Sequence, residues 1–147
     1  MTVEIISNDI IKGAIISYLK TCTLLVNKLI EYESSATEIR ESQWKGTEFE
    51  YPNVRVRMIR NVPDVGNCIK SDISFSVQTF TEDQTSAMCD EISGIIGAYF
   101  QTRQFGVSLL GSTYNFGCGA VTLIPAISLG TNTWRSEVVV TGYVSKE

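Results

Sequence analysis

Ile73-Ser74-Phe75-Ser76-Val77-Gln78-Thr79 is the stretch on which the fold turns. Ile73, Phe75 and Val77 alternate with small polar residues at period two, the mark of a strand with one face toward a core. Directly after it, Thr81-Glu82-Asp83-Gln84 has the form of a capping box, with Thr81 as cap and Gln84 reaching back. The helix this would open carries Met88, Ile92, Ile95, Ile96 and Tyr99 on one face, so Phe75 and Ile92 are expected in the core. Ser86, Asp90, Ser93, Gly94 and Gly97 fall on the opposite face. An internal glycine costs a helix about 1 kcal/mol relative to alanine. The two glycines are therefore either tolerated slack or room for close approach by a neighbouring backbone.

Toward the N-terminus, Val54, Val56 and Met58 alternate with Arg55 and Arg57, which predicts a strand with its arginines turned out to solvent. Arg60 follows close by. Such arginines can grip a phosphate or carboxylate, or simply cover a solvated sheet face. Asn61 to Asn67 reads as a turn, and residues 31–53 as a loop with at most one short strand. Before that loop, Asn8 to about Ile30 reads as one long helix, capped by Asn8, with Asp9 in its first turn. Ile11, Ile15, Tyr18, Cys22, Leu25, Val26 and Leu29 form its apolar face. Ile16 and Leu24 fall instead on the side of Lys20. They are either scattered surface aliphatics or a second face directed at another subunit.

Toward the C-terminus, Gln104 to Trp134 holds no charged residue in thirty-one positions. Polar residues and Pro125 recur throughout, which excludes a membrane span. A solvent-facing hairpin normally carries charge, and an exposed edge strand lysine or proline. This uncharged stretch is either an ordinary buried sheet or a surface that a partner covers, with Val121, Leu123 and Trp134 as candidate contacts. Within it, Gly111 to Gly119 has the glycines of a phosphate loop but no lysine and no following helix, so it reads as a turn. Trp134 to Val144 reads as the closing strand, Val138, Val140 and Val144 on one side and Val139, Thr141 and Tyr143 on the other. Gly142 marks a bulge or a close approach.

Helix, strands, helix, strands is the order of an α+β domain spanning 1–147: an antiparallel or mixed β-sheet with two α-helices packed on one face. A chain of 147 residues can bury such a core without disulfides or metals. Its net charge of −4 argues against affinity for nucleic acid or an anionic membrane. Met1 to Asn8 has no basic n-region, and the apolar residues behind it are interrupted by Lys12, Lys20 and Lys28, so no signal peptide is expected. Cys22, Cys68, Cys89 and Cys118 lie far apart, which favours reduced thiols over a zinc site. Histidine is absent, and with it the usual base of a Ser or Cys nucleophile and the commonest ligand of catalytic metals. Glu48 and Glu50, or Asp90 and Glu91, read as solvated surface acids. No catalytic residue, metal or cofactor is expected.

The order of elements resembles the tail-terminator and tail-completion (head–tail joining) proteins of long-tailed bacteriophages. The matching features are the N-terminal amphipathic helix, Tyr51-Pro52-Asn53-Val54-Arg55-Val56 entering a strand, Phe75-Ser76-Val77 in the next, the helix after Thr81, and the closing strands. The uncharged hairpin from Gln104 to Trp134 is longer than in a minimal member. The resemblance implies a non-catalytic virion protein of the tail or neck, assembled in the host cytoplasm. It also implies a ring of copies, hexameric by analogy, that caps the tail tube and meets the tail-tube protein and a head-completion or connector protein. Subunit contacts would then involve Ile16, Lys20 and Leu24 on one side and Val121, Leu123 and Trp134 on the other. The reading from a different class is a monomeric or dimeric small-molecule-binding α+β domain, for which Arg55, Arg57 and Arg60 are the candidate polar groups.

Overall fold

A computed structural model describes residues 4–64, 69–101 and 104–147. Its core strand is β3 (Lys70–Glu82), which contains the alternating stretch Ile73–Thr79. Ile73, Phe75 and Val77 are buried as their period predicts. β3 pairs antiparallel with β2 (Asn53–Pro63) on one side and with β6 (Thr133–Lys146) on the other. β5 (Ser112–Gly130) follows β6, and β4 (Gln104–Leu109) closes that edge; β1 (Ile39–Glu41) lies parallel to β2 at the other. The sheet is therefore mixed, in the order β1-β2-β3-β6-β5-β4.

Three α-helices, not two, cover one face among the described residues: α1 (Asn8–Lys20), α2 (Thr23–Glu31) and α3 (Ala87–Phe100). α1 packs against β1, β2 and β4, strands from opposite edges of the sheet, so the sheet curls around it. α3 lies over β3, β5 and β6. The single helix expected from Asn8 to Ile30 breaks at Thr21–Cys22. Thr21 Oγ1 donates to Tyr18 O at 2.6 Å, the amides of Thr21 and Cys22 close the turn on Tyr18 and Leu19, and Cys22 becomes extended. A β-branched hydroxyl that satisfies its own backbone competes with helix continuation. Leu25 and Leu29 still enter the core, from the second helix. Asn8 is already helical; the cap position is Ser7, whose hydroxyl bonds Asp9.

Thr81 is not a helix cap. It is buried in β3 opposite Trp134, and α3 starts only at Ala87, after Ser86. The ladder between β3 and β6 runs from Lys70 to Glu82 without a register shift and overrides the local capping signal. Gly111–Gly119 is likewise mostly strand. Leu110 and Gly111, both at positive φ, form a two-residue hairpin loop, and Ser112–Gly119 belongs to β5. β2 extends through Pro63 into the expected Asn61–Asn67 turn, of which residues 65–67 lie outside the described residues, as does Cys68. Met58 is half-buried beside a register shift, and Val138, Val140 and Val144 face the core. Gly142 is a close approach: a Cβ there would lie 1.9 Å from Gly117 O. Cys22 and Cys89 are free and buried, and Cys118 is free and half-buried.

Candidate interaction surface: an arm and a groove

β5 is nineteen residues long, but β4 covers its outer edge only from Ser112 to Gly117. Beyond Gly117, no strand among the described residues pairs with that edge. The inner edge continues along β6 to Gly130, with register shifts at Cys118/Ala120, Ile124/Ile127 and Ser128/Gly130. The distal part of β5, the turn and the start of β6 therefore form a hairpin arm without charge as far as Trp134. Leu123, Ile124, Ile127 and Leu129 are exposed on it.

The arm is seated on α3. Leu123 lies over Gly97, where a Cβ would come within 2.5 Å of Leu123 Cδ2 and 3.8 Å of Val121. Gly97 and Ser93, on the helix face opposite Met88, are buried, and Gly97 is the seat of the arm. Gly97 does give room for a close approach, but by the Leu123 and Val121 side chains and not by a backbone; a Cβ at Gly94 would meet nothing within 4 Å. Two turns before Gly97 on α3, Asp90 Oδ1 accepts the amide of Ala126 at 2.9 Å, next to Pro125. Trp134 anchors the base of β6 by donating its indole N–H to Asp83 O at 3.0 Å. Cys118 is half-buried near the root, where burial pushes its thiol up to about 11 and leaves it protonated at neutral pH.

Across the sheet, the 42–51 loop folds back over the face that the helices leave bare. It encloses a groove of about 250 Å³ lined by Trp44, Phe49, Tyr51, Arg55, Gln78 and Phe80. Arg55 was expected in solvent; only 9% of it is exposed. Its Nη2 donates to Glu38 Oε1 at 3.2 Å and its Nη1 to Glu38 O, and its guanidinium lies 5.4 Å from the Trp44 ring. Burial lowers the Arg55 pKa from its ordinary value, while the Glu38 carboxylate opposes the shift. The Arg40 guanidinium stacks on Trp44 at 3.7 Å, and Phe49 meets Tyr51 edge-on at 5.5 Å. Arg57 and Arg60 share the face of Arg55 but face different partners. Arg57 Nη2 is 3.6 Å from Glu137, and Arg60 follows the register shift opposite Ser74. The three arginines do not converge on one cavity.

The residues proposed from sequence fall into two groups. Val121, Leu123 and Trp134 are brought together in the arm and its base. Ile16, Lys20 and Leu24 do not form one stripe, because the helix break puts Leu24 on α2; Ile16 is half-buried against the core, Lys20 is exposed and Leu24 is 63% exposed. The groove was missed. Its signal is the three aromatics Trp44, Phe49 and Tyr51 inside an otherwise polar loop.

No protein-family model matches the sequence, and no curated protein sequence does. A match comes from structure: a chain in the virion of a native gene transfer agent (GTA) particle, with a TM-score of 0.61 at 10% identity. The match covers 91% of this chain and 93% of that one. The two chains share a fold.

Proposed function

We propose that this chain is a structural virion protein that caps the tail tube and joins the tail to the head, acting as one subunit of a ring. What carries the reading is a whole-chain fold shared with a component of a GTA virion, on a molecule that carries an uncharged, seated arm. Its surface chemistry suits assembly rather than catalysis. The arm presents aliphatic side chains and an open backbone edge, while Arg55, the most buried of the candidate arginines, is already neutralised by Glu38. Such a surface can be covered by a partner without desolvating an unpaired charge. Ile16, Lys20, Leu24, Val121, Leu123 and Trp134 remain the candidate interface positions. The partners on this reading are further copies of the chain, the tail-tube protein and a head-completion or connector protein.

The test is genetic and visual. A stop codon early in the gene should leave particles whose tails fail to join heads in electron micrographs, with joining restored by the full chain in trans. Normal, head-joined tails in the absence of the protein would refute the proposal.

A further inference from the structure

We infer that the aromatic groove receives a tyrosine or tryptophan side chain from a different polypeptide. The inference goes beyond the tail reading above and does not depend on a ring. The groove holds about 250 Å³, short of the roughly 300–1,000 Å³ of a pocket for a drug-sized ligand, and it opens beside Phe49, which is 47% exposed. That is room for one ring system rather than for a long ligand. The walls are the rings of Trp44, Phe49, Tyr51 and Phe80. Flat walls favour a flat guest, which meets them by stacking or by edge-on contact.

Charge selects a neutral guest. Arg55 Nη2 lies 3.2 Å from Glu38 Oε1, and the Arg40 guanidinium covers Trp44 at 3.7 Å. A cation would meet two guanidiniums, and an anion would have to compete with Glu38 for Arg55. The two side-chain amides of the groove then select a hydrogen-bond donor. Asn53 Nδ2 donates to Glu50 O at 3.1 Å, and Gln78 Nε2 to Glu137 Oε2 at 2.8 Å. A carbonyl and a carboxylate only accept, so the amide nitrogens turn to them and the amide oxygens are left over. Among the described residues no donor reaches Asn53 Oδ1 or Gln78 Oε1, although Asn53 is only 4% exposed. A buried oxygen without a donor is costly, and an N–H or O–H on the guest would satisfy it. A neutral flat ring with such a donor is the indole of tryptophan or the phenol of tyrosine. This chain has none to spare: its six tyrosines and two tryptophans are all buried or half-buried. The side chain therefore comes from another protein.

The test uses the full chain and three probes: N-acetyl-tryptophanamide, N-acetyl-tyrosinamide and N-acetyl-phenylalaninamide. Each is titrated by NMR, with the Trp44 indole N–H and the Asn53 and Gln78 side-chain amides as reporters. The first two should give saturable shifts confined to the groove. The third has a ring without a donor and should bind about fivefold more weakly, the net worth of one hydrogen bond. Gln78→Met, with the rest of its spectrum unchanged, should weaken the tryptophan probe by a similar factor and leave the phenylalanine probe as it was. No saturable shift from any probe overturns the proposal, as does equal binding of all three that Gln78→Met leaves untouched. The source is read by placing a photo-crosslinking amino acid at position 49 in producing cells. Adducts should map to, or beside, a tyrosine or tryptophan of another protein. Adducts confined to further copies of this chain, or none, overturn the assignment. None of these readouts requires a ring or a tail, so the tail reading stands or falls separately.

Discussion

The two halves of β5 are both uncharged and have opposite surroundings. Ser112–Gly117 lies between β4 and β6, with Tyr114 4% and Phe116 2% exposed. From Cys118 onward the same strand keeps β6 but has no β4 beside it, and Leu123 rises to 54%. Neither half carries charge: the large apolar residues are Tyr114 and Phe116 in the first and Val121, Leu123, Ile124, Ile127 and Leu129 in the second. Lack of charge therefore does not tell a buried strand from an exposed one; the second paired edge and the cover over the face do. The open half has the devices of an edge strand that must not aggregate, namely Pro125 and repeated register shifts, but not the usual lysine.

Truncation is the strongest way to break this comparison. Phe116→Ala in the sealed half should cost about 3–5 kcal/mol, and Ile127→Ala in the open half should stay within about 0.5 kcal/mol. Urea denaturation of the isolated chain gives both values. Equal losses would mean that Ile127 is packed in the free subunit.

β2 repeats the contrast with arginines in place of apolar residues. Arg55 is sealed beneath the 42–51 loop, while Arg57, two residues on, is exposed beside Glu137. Removing Arg55 leaves the Glu38 carboxylate, itself 5% exposed, without its closest cation. Arg55→Ala should cost about 3 kcal/mol, and Arg57→Ala under about 1 kcal/mol. Thermal melting of the two variants decides it; two small, equal losses would return Arg55 to solvent. Period two put both arginines on the bare face, correctly. What it could not supply was the lid, because Trp44 and Glu38 come from a segment without periodicity.

The seat of the arm is probed by its two glycines. Gly94→Ala should stabilise α3 by about 0.5–1 kcal/mol through helix propensity and a less flexible unfolded chain. Gly97→Ala should gain less, because its Cβ must displace Leu123, and adding Leu123→Ala should restore the difference. Chemical denaturation of the double-mutant cycle reads the coupling. Independent effects would mean that Leu123 does not sit on Gly97.

The smallest effect concerns pH. Glu91, on the α3 surface, accepts from Lys28 at 2.7 Å and from Tyr32 at 2.9 Å, and these two donors hold its carboxyl below the ordinary 4.5. A folded-state pKa below the unfolded value gives stability that is fully present above the unfolded value and lost as pH falls through the folded one. Glu91→Gln should therefore lower the neutral region of the stability–pH profile slightly and leave its acid end nearly unchanged, which flattens the acid limb. An acid limb of unaltered slope would remove Glu91 from the account.

Much of the molecule is written in the chain locally. The alternation in Ile73–Val77 and Val138–Val140 places two central strands, and helical spacing puts Ile15, Leu25 and Ile92 in the core. These follow from backbone periods of 2 and 3.6, which each segment carries in its own sequence. Other features were decided by residues distant in sequence. Thr81 became strand because Trp134 pairs with it, and Arg55 became buried because Glu38, seventeen residues away, lies over it. Gly97 is buried because Leu123 and Val121 of the distant arm lie over it. A local period says which side chains share a face; only the assembled sheet determines which face is covered and which edge stays open.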